Sequence, residues 1–389
     1  MIPRSIAPTV ARLSQGFPAV AITGPRQSGK TTLVRATFPE HPYVSLESPD
    51  TRAFAEADPR AFLDQYRNGA ILDEIQRCPD LFSYLQGDVD ADGRPGRFIL
   101  TGSQHFDLRS RISQSLAGRV GLIQLLPFSL PELQGAGMAP DSIESAIFKG
   151  GYPPLFDRPV SSADWIASYV ATYLERDVRQ LVQVRDLHAF QTFVRMCASR
   201  AGQLVNLSSL ASDCGITHNT SKAWISVLEA SYIVFLLSPH HRNFGKRLTK
   251  SPKLYFHDTG LLCWLLGIRQ PEEIVTHALR GALFENWVIL ELIKGCFNRG
   301  QPSNLFFWRD SAGNEIDVLA EQGGQLRPIE IKAGKTIAGD YFSGLAKWCG
   351  LANGLSINPT LVYAGDQGQE RSQARVIPWH DVGRLAGGS

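Results

Sequence analysis

Ala19-Val20-Ala21-Ile22-Thr23, followed at once by Gly24-Pro25-Arg26-Gln27-Ser28-Gly29-Lys30-Thr31-Thr32 and then Leu33-Val34-Arg35, is the stretch that decides the fold. The first five residues are apolar or β-branched and read as a buried strand, and the last three open a helix. Between them, the spacing G-x-x-x-x-G-K-[ST] lets successive backbone N–H groups face a polyphosphate. Lys30 then reaches the β and γ phosphates, and the Thr31 hydroxyl ligates Mg²⁺. The helix N-terminus adds a dipole that favours the anion. Gly24, Gln27, Ser28, Gly29, Lys30, Thr31 and Thr32 are therefore the candidate binding residues for ATP.

Outward from this loop, Gly69-Ala70-Ile71-Leu72 reads as a second strand and ends in Asp73-Glu74. The two carboxylates have different expected tasks: Asp73 holds Mg²⁺, directly or through water, and Glu74 polarises the water that attacks the γ phosphate. A third strand, Arg97 to Thr101, runs into Gly102-Ser103. Ser103 is the expected reporter of the terminal phosphate, with Thr101 as the competing candidate. In Leu116-Ala117-Gly118-Arg119, Arg119 is placed to complete a neighbouring subunit's site by stabilising transition-state charge. That role implies a homo-oligomer, for example a closed hexameric ring.

Gly24 to Thr32, Ile71-Leu72-Asp73-Glu74-Ile75-Gln76, Leu100-Thr101-Gly102-Ser103 and Leu116-Ala117-Gly118-Arg119 resemble the AAA-type (AAA+) ATPase domain of a large prokaryotic family. Its members carry a C-terminal domain of unknown function. The resemblance continues through Gly150-Gly151-Tyr152-Pro153, Tyr173-Leu174-Glu175-Arg176-Asp177, His257-Asp258-Thr259-Gly260-Leu261 and Gly281-Ala282-Leu283-Phe284-Glu285-Asn286, so it spans nearly the whole chain.

In the middle, Trp165 to Arg200 reads as amphipathic helices whose apolar stripe includes Tyr169, Tyr173 and Leu174. Arg176 could reach a bound nucleotide from the lid side or serve as a surface ion-pair partner. Leu207 to Ala211 and Thr220 to Leu228 read as two short helices around Cys214-Gly215-Ile216. Tyr232 to Leu237 and Lys253 to Phe256 follow as strands, giving the pattern of a winged helix-turn-helix. Arg242, Lys246, Arg247, Lys250 and Lys253 form a run of cations without an acidic residue among them, suited to DNA phosphates. The second helix offers little beyond Lys222 for reading base edges, so the expected DNA binding is not sequence-specific.

Farther on, Gly281 to Cys296 reads as a helix, followed by strands at Leu305–Trp308, Glu315–Ala320 and Leu326–Lys332. In Glu330-x-Lys332, the period of two puts both side chains on one face, beside Asp317 on the neighbouring strand. Such a group can hold a divalent cation while the lysine orients a hydrolytic water. With the helix at 341–349 and the strand Thr360 to Tyr363, the order α-β-β-β-α-β resembles the PD-(D/E)XK nuclease fold. Glu285, Asp317, Glu330 and Lys332 match its four active-site positions, which implies a second divalent metal.

The 389 residues fit two or three domains of about 150 residues each. The expected class is α/β: a P-loop ATPase domain over 1–138, a helical lid or linker over 139–200, a winged helix over 201–257, and a nuclease-like α/β domain over 258–389. With 39 basic and 37 acidic side chains, the net charge of +2 excludes a uniformly cationic surface but not a local patch. The six scattered cysteines form no C-x-x-C pair, which favours buried thiols over a zinc site or disulfide framework. No apolar run is long enough for a membrane span and no secretory signal is recognisable, so a cytoplasmic location is expected. These features together suggest an ATP-hydrolysing protein that remodels or processes DNA. The alternative is a nucleotide-dependent switch in signalling, defence or toxin control, with an inert nuclease-like domain.

Overall fold

The computed structural model describes residues 1–103, 115–178, 186–240, 249–352, 354–355 and 357–387, with 175–178, 322 and 386–387 described by backbone alone. The chain divides into two compact units. The first comprises Met1–Phe128 with Ala230–Tyr232 and Cys296–Gln301, and the second comprises Ser129–Glu229, Ile233–Gly295 and Pro302–Ser389.

A fully parallel sheet organises the first unit. Its strands are β1 (Ala19–Thr23), β2 (Tyr43–Ser45), β3 (Ala70–Asp73), β4 (Phe98–Gly102) and β5 (Val120–Gln124), in the order β2-β3-β4-β1-β5. Every residue of β1, β3 and β4 is buried, as expected when both faces of a parallel sheet are covered. Alternation along the strands divides them between two apolar cores. Ala19, Ala21, Leu72 and Leu100 join Phe62, Phe82 and Leu85 on one face, whereas Val20, Ile22, Ile71 and Ile99 join Leu33 and Val34 on the other. Each fully buried large aliphatic among them contributes about 1.5–3 kcal/mol. Because β1 is an interior strand, flanked by β4 and β5, the Lys30–Thr37 helix starts inside the sheet's C-terminal edge and beside β4. β3 and β4 end on that edge too, where parallel sheets gather ligands.

The second unit begins with helices, including Ile143–Lys149, Ser162–Tyr169, Leu187–Ser199, Leu207–Asp213 and His218–Ala230. Tyr169, Tyr173 and Leu174 are buried, and Trp165 stacks on Tyr169 at 5.1 Å. Then β6 (Val234–Leu237) pairs antiparallel with β7 (Lys253–Phe256). The connection over 241–248, with Arg242, Lys246 and Arg247, lies outside the described residues. Helix Thr259–Leu265 and the long helix Arg280–Asn298 come next.

A six-stranded sheet follows, formed by β8 (Leu305–Arg309), β9 (Glu315–Gln322), β10 (Gln325–Lys332), β11 (Thr360–Tyr363), β12 (Gln369–Glu370) and β13 (Arg375–Pro378). Its order is β12-β13-β11-β10-β9-β8. β8, β9 and β10 run antiparallel in succession, and β11 joins β10 in parallel after a crossover through the Ser343–Ala352 helix. Trp308, Ile316, Leu326, Leu345 and Trp348 fill the space beneath that helix. All six cysteines are free, with Cys78, Cys197 and Cys263 buried. No helix among the described residues is long and apolar enough to cross a membrane.

Candidate functional site

The loop after β1 is shaped by its backbone. Gly29 has φ +91° and Gln27 φ +61°, left-handed turns of the kind from which backbone anion nests are built, just before the Lys30–Thr37 helix begins. A Cβ at Gly24 would overlap the carbonyl oxygen of Leu125. Ser28 Oγ is buried without a hydrogen-bond partner among the described residues. Lys30, only 6% exposed, donates to Gly24 O at 3.0 Å and Pro25 O at 2.8 Å, so its ammonium lies against the loop it would share with phosphates. Burial lowers its pKa to about 8, with Glu74 and Asp73 acting in the opposite direction. Thr31 lies at the helix start, and Thr32 is exposed.

Asp73 closes β3 amid hydroxyl donors. Thr31 Oγ1 donates to its Oδ2 at 3.0 Å, Tyr43 donates to the same oxygen at 2.6 Å, and Thr101 donates to Oδ1. Tyr43 was not foreseen from the sequence: no motif marks it, and it arrives because β2 pairs with β3, with Tyr43 opposite Ile71. Burial and the bond to Asp73 raise its pKa to about 12. Glu74 leaves the strand at φ +57° and accepts from Ser103 Oγ at 3.1 Å and from Gln76. The two candidate sensors thus divide between the carboxylates, Thr101 on Asp73 and Ser103 on Glu74. A non-glycine residue held at positive φ is a strained position of the kind that accumulates at functional sites. A buried Ser28 hydroxyl, a loop with left-handed turns at Gln27 and Gly29, and hydroxyl-bonded carboxylates fit a Mg²⁺–nucleotide.

Arg119, just before β5, is partly exposed and pairs with Asp90 of the Leu81–Ala91 helix, its Nη2 3.0 Å from Oδ2. An exposed pair of this kind adds little stability and leaves the guanidinium accessible. The side chain of Arg176 is outside the described residues.

In the second unit, Glu285, Asp317, Glu330 and Lys332 do come together, but in the company of other charges. Lys332 lies 2.6 Å from Glu330 and 4.0 Å from Asp317, whose Oδ2 accepts from Ile331 N at 2.8 Å. Lys253 does not face solvent with the basic loop as expected. It is buried, 3.0 Å from Glu285, and also pairs with Glu315. The reason is local: period-two alternation in β7 puts Lys253 on the same face as Tyr255, and Tyr255 donates to Glu285. Lys250, by contrast, is exposed. Burial raises the pKa of both Glu285 and Glu330 to about 7, with the Asp317 charge adding to it. Burial pulls Lys253 down, but Glu285, Asp317 and Glu315 more than reverse this, so it keeps its proton. Among the described residues, no group of three or more His, Cys, Asp or Glu side chains is arranged to hold a metal ion. With Lys253, Arg309 and Lys332 already paired to its carboxylates, the donor set does not fit the implied second metal.

Two of the quoted motifs are structural ties. Asp258 caps helix Thr259–Leu265 through Leu261 N at 2.9 Å and accepts from Gly151 N at 2.9 Å. Asn286, fully buried, exchanges two 2.8 Å hydrogen bonds with the backbone of Phe256.

Residues 16–134 match the model of an AAA domain, 140–272 a domain of unknown function (DUF8612), and 280–382 a second one (DUF4143). Uncharacterized proteins of Mycobacterium tuberculosis and Mycobacterium bovis are each 34% identical over 336 residues, covering 86% of this chain and 74% of theirs. Among solved structures, a Walker-type ATPase of Pyrococcus abyssi is similar over 68% of this chain and 96% of its own, at 14% identity and a TM-score of 0.45. The chain belongs to the family of these mycobacterial proteins, and it carries an AAA-type P-loop ATPase domain.

Proposed function

We propose that the chain hydrolyses ATP and couples hydrolysis to work on DNA. The observation that carries the first half is the convergence of the Gly24–Thr31 loop, Asp73, Glu74 and the polar end of β4 on one sheet edge. Thr31 and Asp73 are the residues that would hold Mg²⁺, which, when bound, neutralises charge on the phosphate oxygens. Lys30 exchanges its two loop carbonyls for phosphate oxygens, and Glu74 accepts the proton of the attacking water. Ser103 bonds either Glu74 or the terminal phosphate, linking the base to nucleotide state. Arg119 leaves Asp90 to enter a neighbouring subunit's site, which supplies the reason for a ring.

For DNA, the support is the helix pair Leu207–Asp213 and His218–Ala230 with the hairpin β6–β7, together with Arg242, Lys246, Arg247 and Lys250 on or beside its connection. The proposed division is a P-loop domain over 1–138, a lid over 139–200, a winged helix over 201–257 and a nuclease-like domain over 258–389. The test is ATP turnover with and without single-stranded, duplex and branched DNA, across salt concentrations. Turnover should rise with DNA, and the rise should fade with salt. Turnover that survives both Lys30→Ala and Glu74→Gln removes the hydrolysis assignment.

The position of Lys253 favours a second reading, a nucleotide-dependent switch acting on a protein partner with an inert nuclease-like domain. Turnover indifferent to every DNA substrate selects it.

A further inference from the structure

The carboxylate cluster of the second unit contains its own cations. Lys253 stands between Glu285 on the Arg280–Asn298 helix and Glu315 at the start of β9, at 3.0 Å from the former. Glu315 takes Arg309 as a second partner at 3.1 Å, and Glu285 also accepts from Tyr255. Lys332 pairs with Glu330 and approaches Asp317. Among the described residues, four carboxylates (Glu285, Glu315, Asp317, Glu330) thus meet three cations (Lys253, Arg309, Lys332), a formal balance of 3 − 4 = −1 before any carboxyl takes up a proton.

A divalent ion needs several oxygens drawn to about 2.0–2.6 Å and a site whose negative charge is not already cancelled. Here the one buried oxygen of the cluster lacking a hydrogen-bond partner among the described residues is Glu330 Oε2, and one oxygen does not make such a site. Entry of a metal between Glu285 and Glu315 requires Lys253 to leave, and a buried ammonium stripped of its partners is strongly unfavourable.

We propose that Lys253 is the resident cation of this cluster, so that the residues resembling a nuclease centre are held together by an ammonium in place of a divalent metal. The cluster is then an electrostatic clasp joining β7, the Arg280–Asn298 helix and β9. Metal-dependent phosphodiester cleavage is not its activity while the lysine stays. This goes beyond the ATPase reading and does not depend on it.

The experiment is Mn²⁺ binding followed by electron paramagnetic resonance on the full chain without nucleotide. An Asp73→Asn background removes the other candidate metal site. With Lys253 in place, no bound Mn²⁺ that Asp317→Asn removes is expected. Lys253→Met should create a single Mn²⁺ site, abolished by adding Asp317→Asn, whereas Lys253→Arg should create none. A Mn²⁺ equivalent already present with Lys253 intact, and lost on Asp317→Asn, overturns the proposal. So does a Lys253→Met protein, shown folded by near-ultraviolet circular dichroism, that binds none. The first arm keeps Lys253 and so decides the matter even where Lys253→Met does not fold. ATP turnover of the unaltered chain, read separately, bears on the ATPase reading and not on this one.

Discussion

Raising the pH from 7 to 9 should weaken ATP binding about tenfold, through Lys30 alone. The lysine is buried against the loop and its pKa is lowered to about 8, so in the empty loop most of it is protonated at pH 7 and little at pH 9. A polyphosphate beside the ammonium raises that pKa, so binding is coupled to proton uptake above pH 8. With the bound lysine protonated throughout, the ratio of dissociation constants is about (1 + 10)/(1 + 0.1), or roughly 10, equivalent to about 1.4 kcal/mol. The sign follows from the direction of the shift: affinity is full below pH 8 and declines as pH rises through it. Fluorescent-nucleotide titrations at the two pH values measure the ratio, and calorimetry in buffers of different ionisation enthalpy measures the proton taken up. Lys30→Met should bind more weakly and show no such decline. A dissociation constant that is flat between pH 7 and 9 in the unaltered protein, or an equal decline in Lys30→Met, would refute the assignment of the proton to Lys30.

Two further outcomes concern the ties within the second unit. Gly150 and Gly215 both have positive φ, +68° and +65°, and Gly150 has ψ −158°; a Cβ at Gly150 would lie 2.5 Å from both carboxylate oxygens of Asp258, whereas one at Gly215 meets nothing within 4 Å. Gly150→Ala should therefore cost about 2–3 kcal/mol more than Gly215→Ala in urea unfolding, chiefly through the displaced Asp258 hydrogen bonds; equal costs would show that the contact with Asp258 carries no weight. Asn286→Ala leaves both backbone groups of Phe256 without their buried partner and should cost roughly 2–4 kcal/mol. Thermal unfolding would contradict this with a loss below about 1 kcal/mol.

What could be read in the sequence was set by backbone geometry over short distances. The Gly24–Thr32 loop demands particular residues at fixed spacing, and Ala70-Ile71-Leu72 before Asp73 is an apolar run that suits a strand buried on both faces. Tyr43 could not be found in this way, because its place beside Asp73 depends on which strand β2 joins. Lys253 was legible in part. Its neighbours in the chain suggested a basic surface, yet the strand Lys253-Leu254-Tyr255-Phe256 already put it on the face of Tyr255, and a lysine sharing a buried face needs an acidic partner. What the sequence withheld was the identity of that partner, since Glu285 is 32 residues away on a helix. The Gly150-Gly151 and Asp258 motifs were likewise visible as patterns, but their meaning is a contact between segments 107 residues apart.

The same residue types, acids and lysines, lead to opposite chemistry in the two units because their hydrogen-bond donors differ. Around Asp73 and Glu74 the donors are mainly the neutral hydroxyls of Thr31, Tyr43, Thr101 and Ser103, and Lys30 spends its hydrogen bonds on carbonyls. Hydroxyls orient a carboxylate without cancelling its charge, so the pair keeps its attraction for a metal and a proton. Around Glu285 and Glu315 the donors include Lys253 and Arg309, which cancel the charge they orient. Charge type among the donors, more than the count of carboxylates, therefore separates a site prepared for a cation from one that has already supplied its own.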